Sequence, residues 1–199
     1  LLVEEPIQME YVQNSLQSRM ISAFDENLKE VLKKTLIKRI QKESNNFIYS
    51  ELLIWFYMQE NDFTSAIIQA KALDKRRREG GMRLVELGNI ALSNNLFTEA
   101  KDAYEYVLKY GYETPYYIEA KLGYIDVVYK QVVVGQISGE MEYKKAEELF
   151  VTTINEFQGQ QQTFRLVKDL AHLKAFYLNK SEEAIQLLRK LIETTKLDA

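Results

Sequence analysis

The chain offers few side chains that could do covalent chemistry. It has no cysteine, which removes thiol catalysis, disulfides and cysteine-ligated zinc. His172 is its only histidine, so a mechanism or metal site built on two imidazoles is excluded. The carboxylate pairs Glu147-Glu148 and Glu182-Glu183 are adjacent, and neighbours one residue apart do not converge on one helix face. They suit the first turns of helices instead. No phosphate-cradling glycine loop, metal-ligand motif or nucleophile elbow is present. The expectation is a non-catalytic chain with no cofactor and no metal.

The densest charge cluster is Lys71, Lys75, Arg76, Arg77 and Arg78. Two readings are open: a site for an anion or acidic partner, or cations stabilising the negative end of a helix dipole. The balance of 26 basic against 29 acidic residues, net charge −3, argues against nucleic acid, whose binders carry a strong basic excess. No apolar run approaches the roughly 18 residues that would span a bilayer.

What would position these side chains is helical. Only 2 prolines and 8 glycines occur, and helix interiors tolerate both poorly. Apolar residues recur at helical spacing. Ile7, Tyr11, Leu16, Met20 and Phe24 mark a first segment. A second, capped by Asp25, carries Leu28, Val31, Leu32, Thr35, Leu36 and Ile40, with lysines and arginines on its other faces. Further helices are expected over 47–59, 63–79, 82–92, 98–110, 115–133, 140–157, 163–177 and 182–195. Gly80-Gly81 is expected to end one of them in a left-handed conformation. Gly111 is expected to stop another, and Thr114-Pro115 to start the next as cap and first helical residue. Residues 158–162 read as a short glutamine-rich linker.

The helix pairs resemble one another. Phe63 and Ala66 recur, at a single common offset, as Phe97 and Ala100. One unit reads Leu87-Gly88, Ala91, Phe97, Ala100, Tyr104; the next reads Leu122-Gly123, Tyr143, Ala146, Phe150; the last carries Ala184, Ile185 and Leu188. This pattern resembles the tetratricopeptide repeat family, whose period of about 34 residues is the offset between Phe63 and Phe97. Small residues such as Gly88, Gly123, Ala100 and Ala146 let helices approach, and Phe97, Tyr104 and Phe150 fill the space beside them. The fold expected is all-α, a right-handed superhelical stack of antiparallel helix pairs, because no pair buries its apolar stripe alone. The repeats fall at about 46–81, 82–112, 113–158 and 163–196, with residues 1–45 a divergent pair continuous with the stack. The third unit holds about 11 extra residues between Gly123 and Ala146, assigned to a longer first helix and the loop 134–140. His172 stands where the fourth unit's small residue belongs, so looser packing is expected there.

The resemblance implies a function. In this family the first helix of each pair lines a concave face that holds a protein or peptide segment. Matched onto this chain, that face comprises Glu51, Trp55, Met58, Met82, Val85, Asn89, Ser93, Tyr117, Ala120, Tyr124, Val127, Asp169, Leu173 and Phe176. Aromatics and methionine suit binding hot spots, while the alternative is that they only pack. The Lys/Asn/Arg clamp that some members use for a terminal carboxylate is incomplete, since Glu51, Val85 and Ala120 flank Asn89. Self-association to a homo-oligomer is a second reading, because no polar capping helix is evident. Histidine phosphotransfer is a remote third. That motif sets Lys three residues after its His and then Gly, whereas here Lys174 follows after two, then Ala175. Two residues on, a helix has turned about 200°. The chain opens Leu1-Leu2 without Met, and together with its composition it resembles a piece of a larger bacterial repeat protein. Its compartment, cytoplasm or envelope, is left open, since a signal would precede such a piece.

Overall fold

A computed structural model describes residues 6–22, 26–157 and 162–197. The described residues are all-α, with ten helices. In order they are α1 (Pro6–Ser22), α2 (Glu26–Lys42), α3 (Ile48–Gln59), α4 (Phe63–Arg77), α5 (Met82–Ser93), α6 (Phe97–Leu108), α7 (Tyr117–Val133), α8 (Glu140–Glu156), α9 (Gln162–Tyr177) and α10 (Ser181–Leu197). The expected cap Asp25, the stripe residue Phe24 and most of the glutamine-rich linker, 158–161, lie outside the described residues. The chain divides into two compact units, Leu1–Tyr117 and Ile118–Ala199.

In the first unit the repeat register extends to the backbone. α3 and α5 are both 12 residues long. Their starts, Ile48 and Met82, are separated by the same offset as those of α4 and α6, Phe63 and Phe97. The turns inside the two pairs repeat as well. Asn61 and Asn95 both take left-handed φ, 57° and 59°, a conformation asparagine tolerates better than most residues. The following amides close the turn on the carbonyl five residues back, Asp62 to Tyr57 and Leu96 to Ala91, each at 2.9 Å. Gly88 does what its size predicts: a Cβ there would stand 2.7 Å from Cε1 of the Tyr104 ring.

The corner between the pairs departs from expectation. α4 ends at Arg77, and the first left-handed residue is Arg78, φ 56°, not Gly80. Its amide donates to the Asp74 carbonyl at 2.6 Å. Gly80 and Gly81 also have positive φ, but they carry the chain around, and Gly81 precedes α5. A Cβ on Gly81 would lie 2.7 Å from Val107 Cγ2. The fully buried Asp74 carboxylate holds this corner, accepting from the Gly81 amide at 2.7 Å and from the Tyr110 and Tyr106 hydroxyls at 2.7 and 2.9 Å. The two phenols are pushed up in pKa by burial first, and by the carboxylate they donate to. They stay protonated, as donors must.

The next start also shifts. α6 ends at Leu108, and Gly111 opens a single 3-10 turn, Gly111–Glu113. Thr114 is buried and its hydroxyl donates to the Gly80 carbonyl at 2.6 Å. That bond pins Thr114-Pro115 to the earlier corner, so the helix begins at Tyr117 rather than at Pro115.

The second unit packs α7 to α10 around Ile125, Val132, Ala146, Phe150, Leu166, Leu170 and Leu173. α7 runs 17 residues, and the extra length with the loop to Gly139 accounts for the insertion. In α9 the buried small residue is Ala171, 2% exposed, not His172. The turn after α9 explains the slip. The Lys180 amide reaches six residues back, to the Lys174 carbonyl at 2.9 Å, where the earlier turns reach five. One extra residue in this turn displaces a register counted back from Ala184, so Leu170-Ala171 takes the place of Leu87-Gly88.

Candidate functional site: a groove in the first unit and an aromatic face in the second

Three of the expected contact residues converge in the first unit. Glu51, Trp55 and Met58, on one face of α3, line a groove of about 270 Å³ with Arg83, Glu86 and Ile90 of α5. Buried Ile54 and Leu87 form its floor. Trp55 has two environments: one side packs on the Leu36–Leu53–Phe56 core, the other faces the groove. The groove's far wall is Met9 and Gln13 of α1, in the segment expected as a divergent pair continuous with the stack and not assigned to the contact face.

The groove's rim is an ion-pair network. Arg77 bonds Glu51 at 2.5 Å and Glu79 at 2.9 Å, and Arg83 stands 3.4 Å from each of the same carboxylates. Glu51 is therefore held by two guanidiniums and not presented as a bare charge. The network also uses part of the basic cluster. Arg76 donates to the Ser50 hydroxyl at 2.6 Å, and Lys71 pairs with Asp102 at 2.6 Å. Arg76 and Arg77 both lie over the Phe47 ring, 5.6 and 5.5 Å from its centroid. Three of these five cations tie α4 to neighbouring elements, which favours their packing role over an anion site.

The remaining expected residues of this unit are dispersed. Met82 is exposed at the start of α5. Asn89 is exposed, and its Oδ1 accepts from the Tyr104 hydroxyl at 2.6 Å. Tyr117 stacks on Tyr112, rings 4.4 Å apart. Val85 is corrected: it is 1% exposed, a core residue like its neighbour Leu84, because α5 buries more than one stripe of its surface. Of the second unit's expected residues, Ala120 and Val127 are fully buried.

In the second unit the expected Leu173 is also corrected. It is fully buried among Ile125, Phe150 and Leu170. The accessible stripe of α9 instead runs Arg165, Asp169, His172, Phe176, spaced four, three and four. Phe176 is 74% exposed and stacks on His172, ring centroids 4.7 Å apart. His172 Nδ1 is 3.0 Å from the Tyr129 hydroxyl of α7. Arg165 pairs with Asp126 at 2.8 Å. Asp169 is half-buried, and its carboxyl is pushed up by burial first; Arg165 opposes the shift and Asp126 adds to it. Tyr124 is partly buried on α7. His172 packs against the rings of Tyr129, Phe176 and Tyr177; sequence reasoning missed Tyr129 as its partner, although the spacing of four, three and four along α9 was visible.

The carboxylate pairs resolve differently from the expectation. Glu182 and Glu183 do lie in the first turn of α10, but Glu147 is well inside α8. One member of each pair meets on Lys174, which is 7% exposed. Lys174 bonds Glu147 and, at 2.6 Å, Glu183, while Lys180 bonds Glu147 at 2.9 Å. Burial pushes the Glu147 carboxyl up, but the two ammoniums outweigh it and hold it below the usual range. Burial likewise lowers Lys174, and the two carboxylates more than reverse that. This is a structural knot joining α8, α9 and α10.

Among the described residues, no group of three or more His, Asp or Glu side chains is placed to hold a metal ion, and no helix is long and apolar enough to cross a membrane. The geometry offers two concave or exposed features: a mixed apolar and charged groove, and an aromatic face beside half-buried carboxylates. Comparison of the chain with protein-family models gives no match, and comparison with curated proteins finds none similar to it.

Proposed function

We propose that this chain is a tetratricopeptide-like, non-catalytic interaction module, and that the groove of its first unit takes a helical or extended peptide segment. The observation that carries this reading is the convergence of Glu51, Trp55 and Met58 with Arg83 and Ile90 around one concave feature. An aromatic and a thioether set beside fixed charges is the composition of an interface hot spot. The recurrence of helix starts and turns at one fixed offset supports the family reading. Peptides selected from a display library against the chain would test it. Trp55→Ala should weaken their binding at least tenfold with helical circular dichroism unchanged. Selected peptides that bind the folded variant as well as the native chain would overturn the reading.

A second reading, self-association, is favoured by α10. Ile185, Leu188 and Ile192 form an exposed apolar stripe, 50%, 38% and 52% accessible. Counted from the buried alanine of each helix, they correspond to Ile67, Ala70 and Asp74 of α4, which α5 and α6 close over. The occupant that fits is α10 of a second copy, antiparallel. Its first turn carries exposed Glu182, and Arg189 follows two turns later, so only the antiparallel pairing sets opposite charges across the stripe. Dimerisation would appear as a concentration-dependent mass in light scattering.

A further inference from the structure

The far wall of the groove, α1, also narrows it. α1 carries one stripe of side chains, Met9, Gln13, Gln17 and Met20, spaced four, four and three, so they share a helix face. Met9 and Gln13 line the groove opposite Trp55, Met58 and Ile90. Gln17 donates to the Gln59 side chain at 3.2 Å, at the exposed end of α3. Met20 packs on the Leu36–Leu53–Phe56 core.

The two ends of α1 are held unequally. Met20 joins a continuous apolar cluster shared by α2 and α3. The Met9 end meets a groove with charged walls, and no described side chain of α1 is fully buried. The Gln17–Gln59 hydrogen bond to α3 is between two exposed amides, where water competes well. Weak contacts suffice for a tethered helix, because tethering supplies an effective concentration on the order of millimolar. An outside ligand then binds only the open fraction, and its apparent affinity falls by that fraction.

We propose that α1 is a built-in competitor for this groove, anchored at Met20 and releasable at its Met9 end. The partner it fits is an amphipathic helix that presents methionine or glutamine at i and i+4 in place of Met9 and Gln13. Flexible thioether and amide side chains adapt to an irregular, mixed groove. The inference rests on the reading of the groove as a peptide site.

Trp55 is the only tryptophan, so its fluorescence reports the groove directly. The probe is a labelled peptide with the sequence of residues 6–22, added to the full chain. In Met9→Glu, acrylamide quenching of Trp55 should rise about twofold, and the peptide should bind at least tenfold more tightly than to the native chain. Met9→Leu keeps the apolar volume and should behave as native; helical circular dichroism checks that each variant folds. Equal quenching in the native and Met9→Glu chains would overturn the proposal, and so would an opened groove that ignores the peptide. Library-selected peptides that depend on Trp55 yet bind native and Met9→Glu chains equally would overturn the latch and leave the groove standing as a site.

Discussion

Gly88 and Tyr104 are pressed together across the α5–α6 interface, so closely that a single Cβ would overlap the ring edge at 2.7 Å. Both positions are buried, and the phenol's hydroxyl is tied to Asn89 at 2.6 Å. The ring therefore cannot swing away without breaking that bond. Gly88→Ala should destabilise the chain by about 1–3 kcal/mol, the usual cost of overpacking, despite alanine's better helix propensity. Urea unfolding of Gly88→Ala, alone and combined with Tyr104→Leu, checks the cause. A smaller partner should return part of the loss, and equal stability of Gly88→Ala and the native chain would contradict the contact.

Asp74 is the fixed point of the α4–α5 corner. Asp74→Asn keeps the shape but offers one acceptor oxygen where the carboxylate serves three donors. A buried phenol or amide then loses its acceptor, at about 1–3 kcal/mol. In Asp74→Ala, which removes every acceptor, hydrogen exchange should quicken at the Gly81 amide first. Slow exchange there in a destabilised variant would place the loss elsewhere.

The Glu147–Lys174–Glu183 knot predicts an acid-sensitive second unit. Glu147 titrates below its unfolded value, so its contribution is complete above the ordinary carboxylate range and fades as pH falls through the depressed folded value. Lys174 titrates above its unfolded value, so its share is complete at neutral pH and fades only in strong alkali. Glu147→Gln should cost about 1–3 kcal/mol near neutrality and flatten the acid limb of a stability–pH profile. An unchanged acid limb would show that other carboxylates govern it.

The α10 stripe predicts a dimer that one charge disrupts. Leu188→Glu sets like charges across the antiparallel axis and should turn any concentration-dependent mass into a monomer's, with the same helical content. A native chain that stays monomeric up to about 100 µM would dispose of this reading, since a contact weaker than roughly 5.5 kcal/mol has little biological reach.

The sequence shows the repeated frame well, because small and large residues set to interlock leave a periodic trace. Phe63 with Phe97 and Ala66 with Ala100 mark the two pairs whose helices and turns share one register. The misreadings have local physical reasons. Arg78 takes the left-handed position because Asp74, not the glycine pair, sets where α4 stops. Leu173 and Val85 are buried because those helices pack with faces wider than one stripe. His172 and Ala171 trade places because of one residue in a turn. The seat of α1 beside Trp55 was least legible: four residues of mixed polarity name no destination until α3 and α5 are placed beside them.

The matched turns at Asn61 and Asn95 have a consequence for chain length. Joining Asn61 directly to Leu96 removes one whole period, 62–95, and leaves the same closure, with the Leu96 amide meeting the Tyr57 carbonyl where it now meets that of Ala91. The two turns are thus interchangeable as closures of the chain. A gene encoding them can gain or lose a whole pair in a single recombination and still encode a turn that closes.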